Sequence, residues 1–137
     1  MIKSAGFAKE IVVTVANRVG VLAEMSKILA DHGVNLEGVA GYAKDKDALI
    51  MLVVDDALRA IDALKAKGYS NTKENNVVVV ELENKAGALK NLTFKLAEAG
   101  VDINYIYGTT CSGDCAAARI VLDTNNNEKA LVVLKGK

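Results

Sequence analysis

The spacing of apolar and polar residues changes several times between residues 11 and 75, and each change marks a new secondary-structure element. Ile11–Ala16 is a β-branched run of strand length. From Gly20 to His32 apolar residues recur every three or four positions, which predicts an amphipathic helix. Ala48–Val54 is wholly apolar and predicts a buried strand. The predicted order is β-α-β-β-α-β; the other elements are strands at Val34–Tyr42 and Tyr69–Glu74, a turn at Lys44–Asp47, and a helix capped by Asp55 and Asp56 and closed by Gly68.

The same pattern occurs twice along the chain. From Asn17 the sequence reads Asn-Arg-Val-Gly-Val-Leu, and from Asn84, 67 residues later, it reads Asn-Lys-Ala-Gly-Ala-Leu. The offset also aligns Gly33 with Gly100, and matches at glycine carry weight because glycine shapes the backbone. The second copy predicts strands at Val77–Leu82, Val101–Tyr107 and Ala116–Asp123 and a helix at Gly87–Ala99. We therefore expect two modules, residues 1–75 and residues 76–137, each small enough to depend on the other or on a second chain.

The second copy departs from the first in two places. Its last helix aligns at an offset of 70, so three extra residues fall in the hairpin that contains Gly108–Cys115. The sequence ends just after that helix, so the second module lacks its fourth strand. In a β-α-β-β-α-β fold this strand lies at a sheet edge, where its loss is tolerated best. We expect another segment to cover the exposed strand.

Each predicted helix is expected to turn one apolar stripe toward a sheet. The stripes are Leu22, Met25, Ile28 and Leu29 in the first helix, Leu58, Ile61 and Leu64 in the second, and Leu89, Leu92 and Leu96 in the third. Phe94 lies off its stripe, where the first copy has Lys27, and an exposed aromatic there hints at a contact between modules or chains.

The strand-to-helix turns at Asn17–Leu22 and Asn84–Leu89 are the candidate functional site. Gly20 and Gly87 precede helices, whose first backbone N–H groups can hold a carboxylate. A glycine also permits a close approach where a side chain would intrude. The Asn17 and Asn84 amides offer a donor and an acceptor, although both residues also suit a simple turn or cap, and the glycines can equally be architectural.

The charge balance, the apolar runs and the cysteine count exclude several classes of protein. Seventeen acidic and seventeen basic residues cancel, with no basic run, which argues against a nucleic-acid surface. Residues 1–10 lack the apolar core of a secretory signal, and no apolar run reaches membrane-spanning length. Cys111 and Cys115 are too few for a disulfide framework and cannot complete a zinc site by themselves; ordinary thiols are favoured over a redox pair. We expect a cytoplasmic protein without a cofactor, a metal or catalytic residues.

Two modules of this topology, each with Asn-x-x-Gly-x-Leu at the first turn and Gly-Val-Asn or Gly-Val-Asp before strand two, resemble tandem ACT domains. The resemblance implies an α+β fold of two ferredoxin-like βαββαβ modules with antiparallel sheets. It further implies a non-catalytic regulatory protein that forms a homodimer and binds an amino acid between the first turn of one module and strand two of its neighbour, with a regulated enzyme as a possible partner. The implied ligand-binding residues are Asn17, Arg18, Val19, Gly20, Val21, Leu22, Asn35, Asn84, Lys85, Ala86, Gly87, Ala88, Leu89, Asp102 and Asn104.

The sequence departs from the family near these turns. The proline common before the glycine is Val19 in one copy and Ala86 in the other. The polar residue that serine-binding members carry two positions before the asparagine is Val15 or Leu82. These changes favour an apolar or aromatic amino acid over serine. The two turns also differ from each other, so the two sites need not be equivalent.

Other functions on this topology find less support. An acylphosphatase-like enzyme would need a phosphate-cradling first loop and an asparagine on strand three, whereas strand three is apolar and the loop offers only Arg18. RNA-binding relatives stack bases on aromatics of the middle strands, and the first copy has none there. A metal chaperone would carry cysteines in its first loop. A structural dimerisation module that binds a protein partner without a ligand is the alternative that stays open.

Three further residues have two interpretations. Tyr105 and Tyr107, on one face of a strand, are either interface or ligand-wall residues, or packing residues. His32, in the last turn of a helix, suits a capping role better than a ligand role.

Overall fold

The computed structural model describes residues 2–110 and 117–136, and these ranges contain six strands and four helices. In chain order the elements are β1 (Ile2–Ala16), α1 (Val21–Asp31), β2 (Leu36–Lys44), β3 (Asp47–Val54), α2 (Ala57–Ala66), β4 (Thr72–Glu83), α3 (Ala88–Glu98), β5 (Ile103–Thr109), β6 (Ala117–Thr124) and α4 (Asn127–Lys135). The α+β class and the repeated order of elements are confirmed. The start of the second helix is also as predicted, since Asp56 caps α2 by accepting a hydrogen bond from the Arg59 N–H at 3.1 Å.

The chain divides into two compact units. The first unit comprises residues 9–75, and the second comprises residues 2–8 together with the described residues from 76 onward. Residues 2–8, which we expected in the first module, therefore group with the second. β1 and β4 are long strands that each contribute residues to both units. β4 is one continuous strand where the sequence predicted two, Tyr69–Glu74 and Val77–Leu82.

The first unit has the strand order β2-β3-β1-β4. β3 pairs antiparallel with β1 and with β2; its first residue, Asp47, stands opposite Ala16 and its last, Val54, opposite Lys9. The turn from β1 to α1 and the hairpin between β2 and β3 therefore lie at one end of the sheet. The start of β2 and the start of α2 lie at the other end.

The second unit has the strand order β1-β4-β6-β5, and residues 2–8 provide its β1. These residues hold the edge position that β4 holds in the first unit. The Ser4 hydroxyl lies 3.4 Å from the Glu81 carboxylate of β4, and Ile2 and Ala5 pack against the apolar core. Residues 2–8 of β1 thus cover the open edge of β4 in the second unit.

Helices and strands bury one apolar cluster in each unit. The first cluster includes Ile11, Val13, Met25, Leu29, Ile50, Leu52 and Leu64; the second includes Val78, Val80, Leu82, Leu92, Leu96, Leu122 and Leu134.

The predicted helix stripes are wrong at one position in each of three helices. Leu22, Leu58 and Leu89 are exposed by 43%, 71% and 51%. Val21, Ala60 and Ala63, and Ala88 are buried in their place. Adjacent helix positions differ by about 100°, so a stripe near a helix start fits either of two neighbours, and packing against the sheet decides between them.

Two expectations lie outside the described residues. Cys111 and Cys115 belong to the stretch between the ranges that the structure describes, as does most of the longer hairpin. Among the helices that are described, none is long and apolar enough to cross a membrane.

Candidate functional site

The turn between β1 and α1 ends in a left-handed glycine. The Asn17 N–H donates to the Lys46 carbonyl of the neighbouring hairpin at 2.7 Å, which fixes the start of the turn. Gly20 is the N-cap residue with φ of 88°, and no side chain caps the helix. The first N–H groups of an α-helix have no partner inside the helix, so this end of α1 presents donors and the positive end of its dipole.

Position 20 requires a glycine because of its backbone conformation; no neighbouring atom comes close enough to exclude a side chain. A Cβ atom placed on Gly20 would meet no atom within 4 Å. The expectation that a side chain here would intrude is therefore wrong. The backbone adopts a left-handed conformation that residues with a Cβ adopt at a cost, and the space around it is open.

The turn between β4 and α3 repeats this geometry. Gly87 has φ of 89° and is again an N-cap without a side-chain cap. The Ala88 N–H donates to the Lys85 carbonyl at 3.3 Å, just as the Val21 N–H donates to the Arg18 carbonyl at 3.4 Å. The burial pattern is the same in both turns: the four residues from the asparagine to the glycine are exposed, the next is buried, and the leucine is exposed.

The leucine of each motif faces solvent beside the helix start. Leu22 and Leu89 occupy equivalent positions, and each leaves about half of its surface exposed. Val19, at the tip of the first turn, is fully exposed. Exposed apolar side chains next to uncapped helix N-termini can contact a ligand or a partner, so the turn combines donors for a carboxylate with an apolar surface.

The strand residues predicted for the site lie at the opposite end of each unit. The Asn35 N–H donates to the Asp55 carboxylate at 3.0 Å, and the Asp55 N–H donates back to the Asn35 carbonyl at 3.3 Å. β3, which connects this end to the turn, has eight residues, so the two ends are about 25 Å apart at roughly 3.3 Å per residue. Asn35 therefore does not join Asn17 and Gly20 within its own unit.

The second unit repeats this pair with acid and amide exchanged. The Asp102 N–H donates to the Asn125 side chain at 3.0 Å, and the Asn125 N–H donates to the Asp102 carbonyl at 2.9 Å. The Asn104 side-chain amide donates to the Asp123 carboxylate at 3.0 Å. The Asn35 and Asp102 backbones and the Asn104 side-chain amide therefore have a structural role, since each has a hydrogen-bond partner within its own unit.

A polar network that sequence reasoning missed lies beside the first turn. The Arg18 guanidinium contacts the Glu24 carboxylate at 3.0 Å and the Tyr69 hydroxyl at 3.2 Å, and the Tyr69 hydroxyl donates a hydrogen bond to Glu24. The hydrogen bond from Tyr69, and to a smaller extent the charge of Arg18, holds the pKa of Glu24 below its usual value. Burial of the ring, assisted by the Glu24 hydrogen bond, raises the pKa of Tyr69. The sequence signal was weak, an aromatic directly after the glycine that ends α2.

This network borders a small cleft next to the turn. The cleft has a volume of about 240 Å³ and is lined by residues 14–16, Arg18, Val21 and residues 68–71. In the second turn the residue equivalent to Arg18 is Lys85, which instead lies 3.5 Å from the Glu83 carboxylate. The two turns therefore share a backbone and differ in their charged surroundings.

The remaining candidates have local partners. The His32 Nδ1 lies 2.8 Å from the Ile28 carbonyl, in keeping with a role at the end of α1. Tyr105 and Tyr107 stack with ring centroids 6.4 Å apart, so they do share one face of β5. Phe94 is exposed, with the Lys90 ammonium 5.6 Å from its ring centre. Within the described part of the chain, no group of three or more His, Cys, Asp or Glu residues is arranged to hold a metal ion.

Comparison with protein families and curated proteins gives one match. Residues 9–66, most of the first unit, match the sequence model of the ACT domain. This match confirms the resemblance that the repeated turn predicted. No curated protein matches the chain.

Solved structures match nearly the whole chain. A protein from Bacteroides thetaiotaomicron is 27% identical with a TM-score of 0.86, over 96% of this chain and 88% of that one. The regulatory subunit of aspartate kinase from Thermus flavus is 13% identical with a TM-score of 0.65, over 98% of this chain and 96% of its own. The subunit from Thermus thermophilus, in its ligand-free form, is 13% identical with a TM-score of 0.69, over 98% and 97%. At this identity the two subunits show a shared fold.

Proposed function

We propose that the chain, whose residues 9–66 match the ACT domain model, is a non-catalytic regulatory protein that binds an amino acid at its strand-to-helix turns. The observation that carries the proposal is the repetition of one local geometry in both units. Each turn has a left-handed glycine, an uncapped helix start and an exposed leucine. A structural turn needs the glycine, but it does not need an uncapped helix beside an exposed leucine in both copies.

The turn supplies groups for two parts of an amino acid. Backbone N–H groups at the start of α1 or α3 receive the carboxylate, where the helix dipole also favours a negative charge. The exposed Leu22 or Leu89 contacts an apolar or aromatic ligand side chain. The Asn17 or Asn84 amide completes the polar contacts.

The ammonium group of the ligand requires an acceptor that a single unit does not bring to its own turn. Asn35 and Asp102 lie at the far end of their sheets from the turn of the same unit. We therefore propose that a second copy of the chain presents Asn35 or Asp102 to the ligand, so that the binding protein is a homodimer in the cytoplasm.

Regulation follows from this arrangement. A ligand that bridges two copies stabilises the paired state by its differential affinity for that state, and so shifts the equilibrium with an unpaired state or with a regulated enzyme. The fold shared with aspartate kinase regulatory subunits supports a regulatory role and leaves the regulated enzyme unnamed, since the identity is only 13%.

A thermal-shift screen against the twenty amino acids, followed by calorimetry, tests the proposal. A ligand at a hundredfold excess over its dissociation constant should raise the free energy of unfolding by nearly 3 kcal/mol. The double variant Leu22→Asp with Leu89→Asp places a negative charge beside each carboxylate site and should abolish the shift. The matched control is Leu58→Asp, which changes a leucine near a helix start that is 71% exposed and lies outside both turns, and it should retain the shift.

The alternative is a structural dimerisation module that uses the same surfaces without a ligand. The exposed leucines favour it because they occupy equivalent positions in both units. Two results together would support this alternative and contradict the sensor. None of the twenty amino acids would shift the melting temperature, and the double variant, but not Leu58→Asp, would disrupt a dimer. A selective hit that needs Leu22 or Leu89 would support the sensor.

A further inference from the structure

A second cleft lies within the second unit, between the start of β1, helix α3 and the end of α4. It has a volume of about 660 Å³ and is lined by residues 2–5 of β1, by Asn91 and Lys95 of α3, and by residues 134–136 at the end of α4. Sites for small molecules typically measure about 300–1,000 Å³. We call this feature the lysine cleft.

The lysine cleft is positively charged. Lys3, Lys95 and Lys135 line it, and none of the described residues in its lining is acidic. Glu81 approaches from β4 by its contact with Ser4, and Glu98 borders a neighbouring groove with Lys95. Three lysines line the cleft, and the nearby Glu81 carboxylate is held by Ser4 outside its lining, so the balance of charge favours an anionic ligand.

The repeat shows that this charge is particular to the second unit. Asn91, Lys95 and Lys135 are the counterparts of Glu24, Ile28 and Lys65 in the first unit. The exchange of an acid for an amide and of an isoleucine for a lysine makes the second unit more positive by two charges at equivalent positions. A purely architectural role does not call for this change, because Ile28 is buried in the first core whereas Lys95 lines an open cleft.

The same comparison indicates the shape of the ligand. The Ser4 side chain contacts Glu81, and the Asn71 carbonyl accepts from the N–H of Thr14, the counterpart of Glu81. Residue 2 therefore takes the place beside the second sheet that Tyr69, just before β4, takes beside the first. The Tyr69 ring is 7% exposed, belongs to the same cluster as Leu64 and reaches Glu24 through its hydroxyl. In the second unit the shorter Ile2, together with Leu134 and Asn91, lines the cleft.

We propose that the lysine cleft binds a small aromatic carboxylate. The ring lies between Ile2 and Leu134, where the first unit holds its own tyrosine ring, and the carboxylate pairs with Lys95 and Lys135. A hydroxyl on the ring is received by Asn91, as the Tyr69 hydroxyl is received by Glu24. The ligand carries no ammonium group, since three lysines would oppose one.

Calorimetry with 4-hydroxyphenylacetate tests the proposal. The wild-type chain should bind this probe, and Lys95→Ile, which restores the residue of the first unit, should weaken binding about tenfold or more. Lys90→Gln is the matched control, since Lys90 lies on the same helix over Phe94 and does not line the cleft. Ile2→Tyr should abolish binding, because its ring fills the cleft from within.

The outcomes separate this site from the turns. Tyrosine, which adds an ammonium group, should bind the lysine cleft more weakly than the probe, and Leu22→Asp with Leu89→Asp should leave binding of the probe unchanged. Absence of probe binding at millimolar concentration would overturn the proposal. Equal loss of probe binding in Lys90→Gln and Lys95→Ile would also overturn it. If Ile2→Tyr fails to fold, Lys95→Ile alone decides, and unchanged probe binding in that variant would overturn the proposal.

Discussion

The Tyr69 hydroxyl donates a hydrogen bond to the Glu24 carboxylate, which joins the segment after α2 to the first turn of α1. The Arg18 guanidinium contacts both groups, so the turn that carries the candidate site is connected to two other parts of the first unit. The second unit has Asn91, Lys85 and Ile2 at the equivalent positions. The two units therefore share a backbone turn and differ in how it is supported.

We expect Tyr69→Phe to raise the pKa of Glu24. The hydrogen bond from Tyr69 is the largest cause of the lowered pKa, and the substitution removes it. A carboxyl whose pKa is lower in the folded than in the unfolded state adds stability above the unfolded value, near 4.3, and loses it as the pH falls through the folded value. Carboxyl NMR titration measures the pKa, and acid unfolding should begin at a higher pH in the variant. An unchanged Glu24 titration would contradict the assigned cause.

We expect Gly108→Ala to destabilise the second unit. A Cβ on Gly108 would lie 2.5 Å from Ile120 Cδ1 and 2.6 Å from the Arg119 carbonyl oxygen. Such overpacking typically costs about 1–3 kcal/mol. Gly41→Ala is the matched control, since Gly41 is the counterpart in the first unit and its Cβ would come no closer than 3.6 Å to another atom. Equal urea midpoints for the two variants would refute the steric argument.

We expect Gly20→Ala to lower the free energy of unfolding by about 1–2 kcal/mol. The cause is the left-handed φ of 88° alone, because the space around the glycine is open. Gly6→Ala provides the comparison, since a Cβ there is also free of contacts and the backbone is not left-handed. It should leave the urea midpoint unchanged or raise it slightly. A loss of stability of similar size in both variants would argue against backbone strain at Gly20.

Asp55→Ala should destabilise the first unit by about 0.5–1 kcal/mol, because the Asn35 N–H loses its side-chain acceptor at an exposed site. Asp55→Asn should be tolerated, since an asparagine accepts the equivalent bond at position 125. Chemical denaturation of both variants measures the difference. Destabilisation by Asp55→Asn as large as that by Asp55→Ala would show that charge matters more than the hydrogen bond.

Deletion of residues 2–8 should destabilise the second unit selectively. The deletion opens the edge of β4 and removes the partly buried Ile2 and Ala5, which pack against the core, so it should cost about 1–2 kcal/mol of apolar burial. Hydrogen exchange should accelerate in residues 76–83 of β4. The amides of β3, inside the first unit, serve as the internal control. Retained protection in residues 76–83 would mean that residues 2–8 are not needed there.

Much of the fold was accessible from short stretches of sequence. Apolar periodicity, together with cap residues and glycines at the ends, located the first three helices to within about two residues, because one helical turn is a local property. The glycine motif located both strand-to-helix turns, because a left-handed backbone position is usually occupied by glycine. The prediction that Leu22 rather than Val21 is a core residue was wrong, because the spacing of apolar residues alone does not decide which face of a short helix is buried.

The sequence by itself determined the repeated order of elements, the duplicated turn and its resemblance to ACT domains. Only the tertiary structure decided that residues 2–8 complete the second unit, that Tyr69 meets Glu24, and that Asn35 lies far from Asn17 in its own unit. These outcomes depend on strand pairing and register between residues distant along the chain. Pairing is selected by which edge is open and which face is apolar in the assembled sheet, and neither property is present in any short segment.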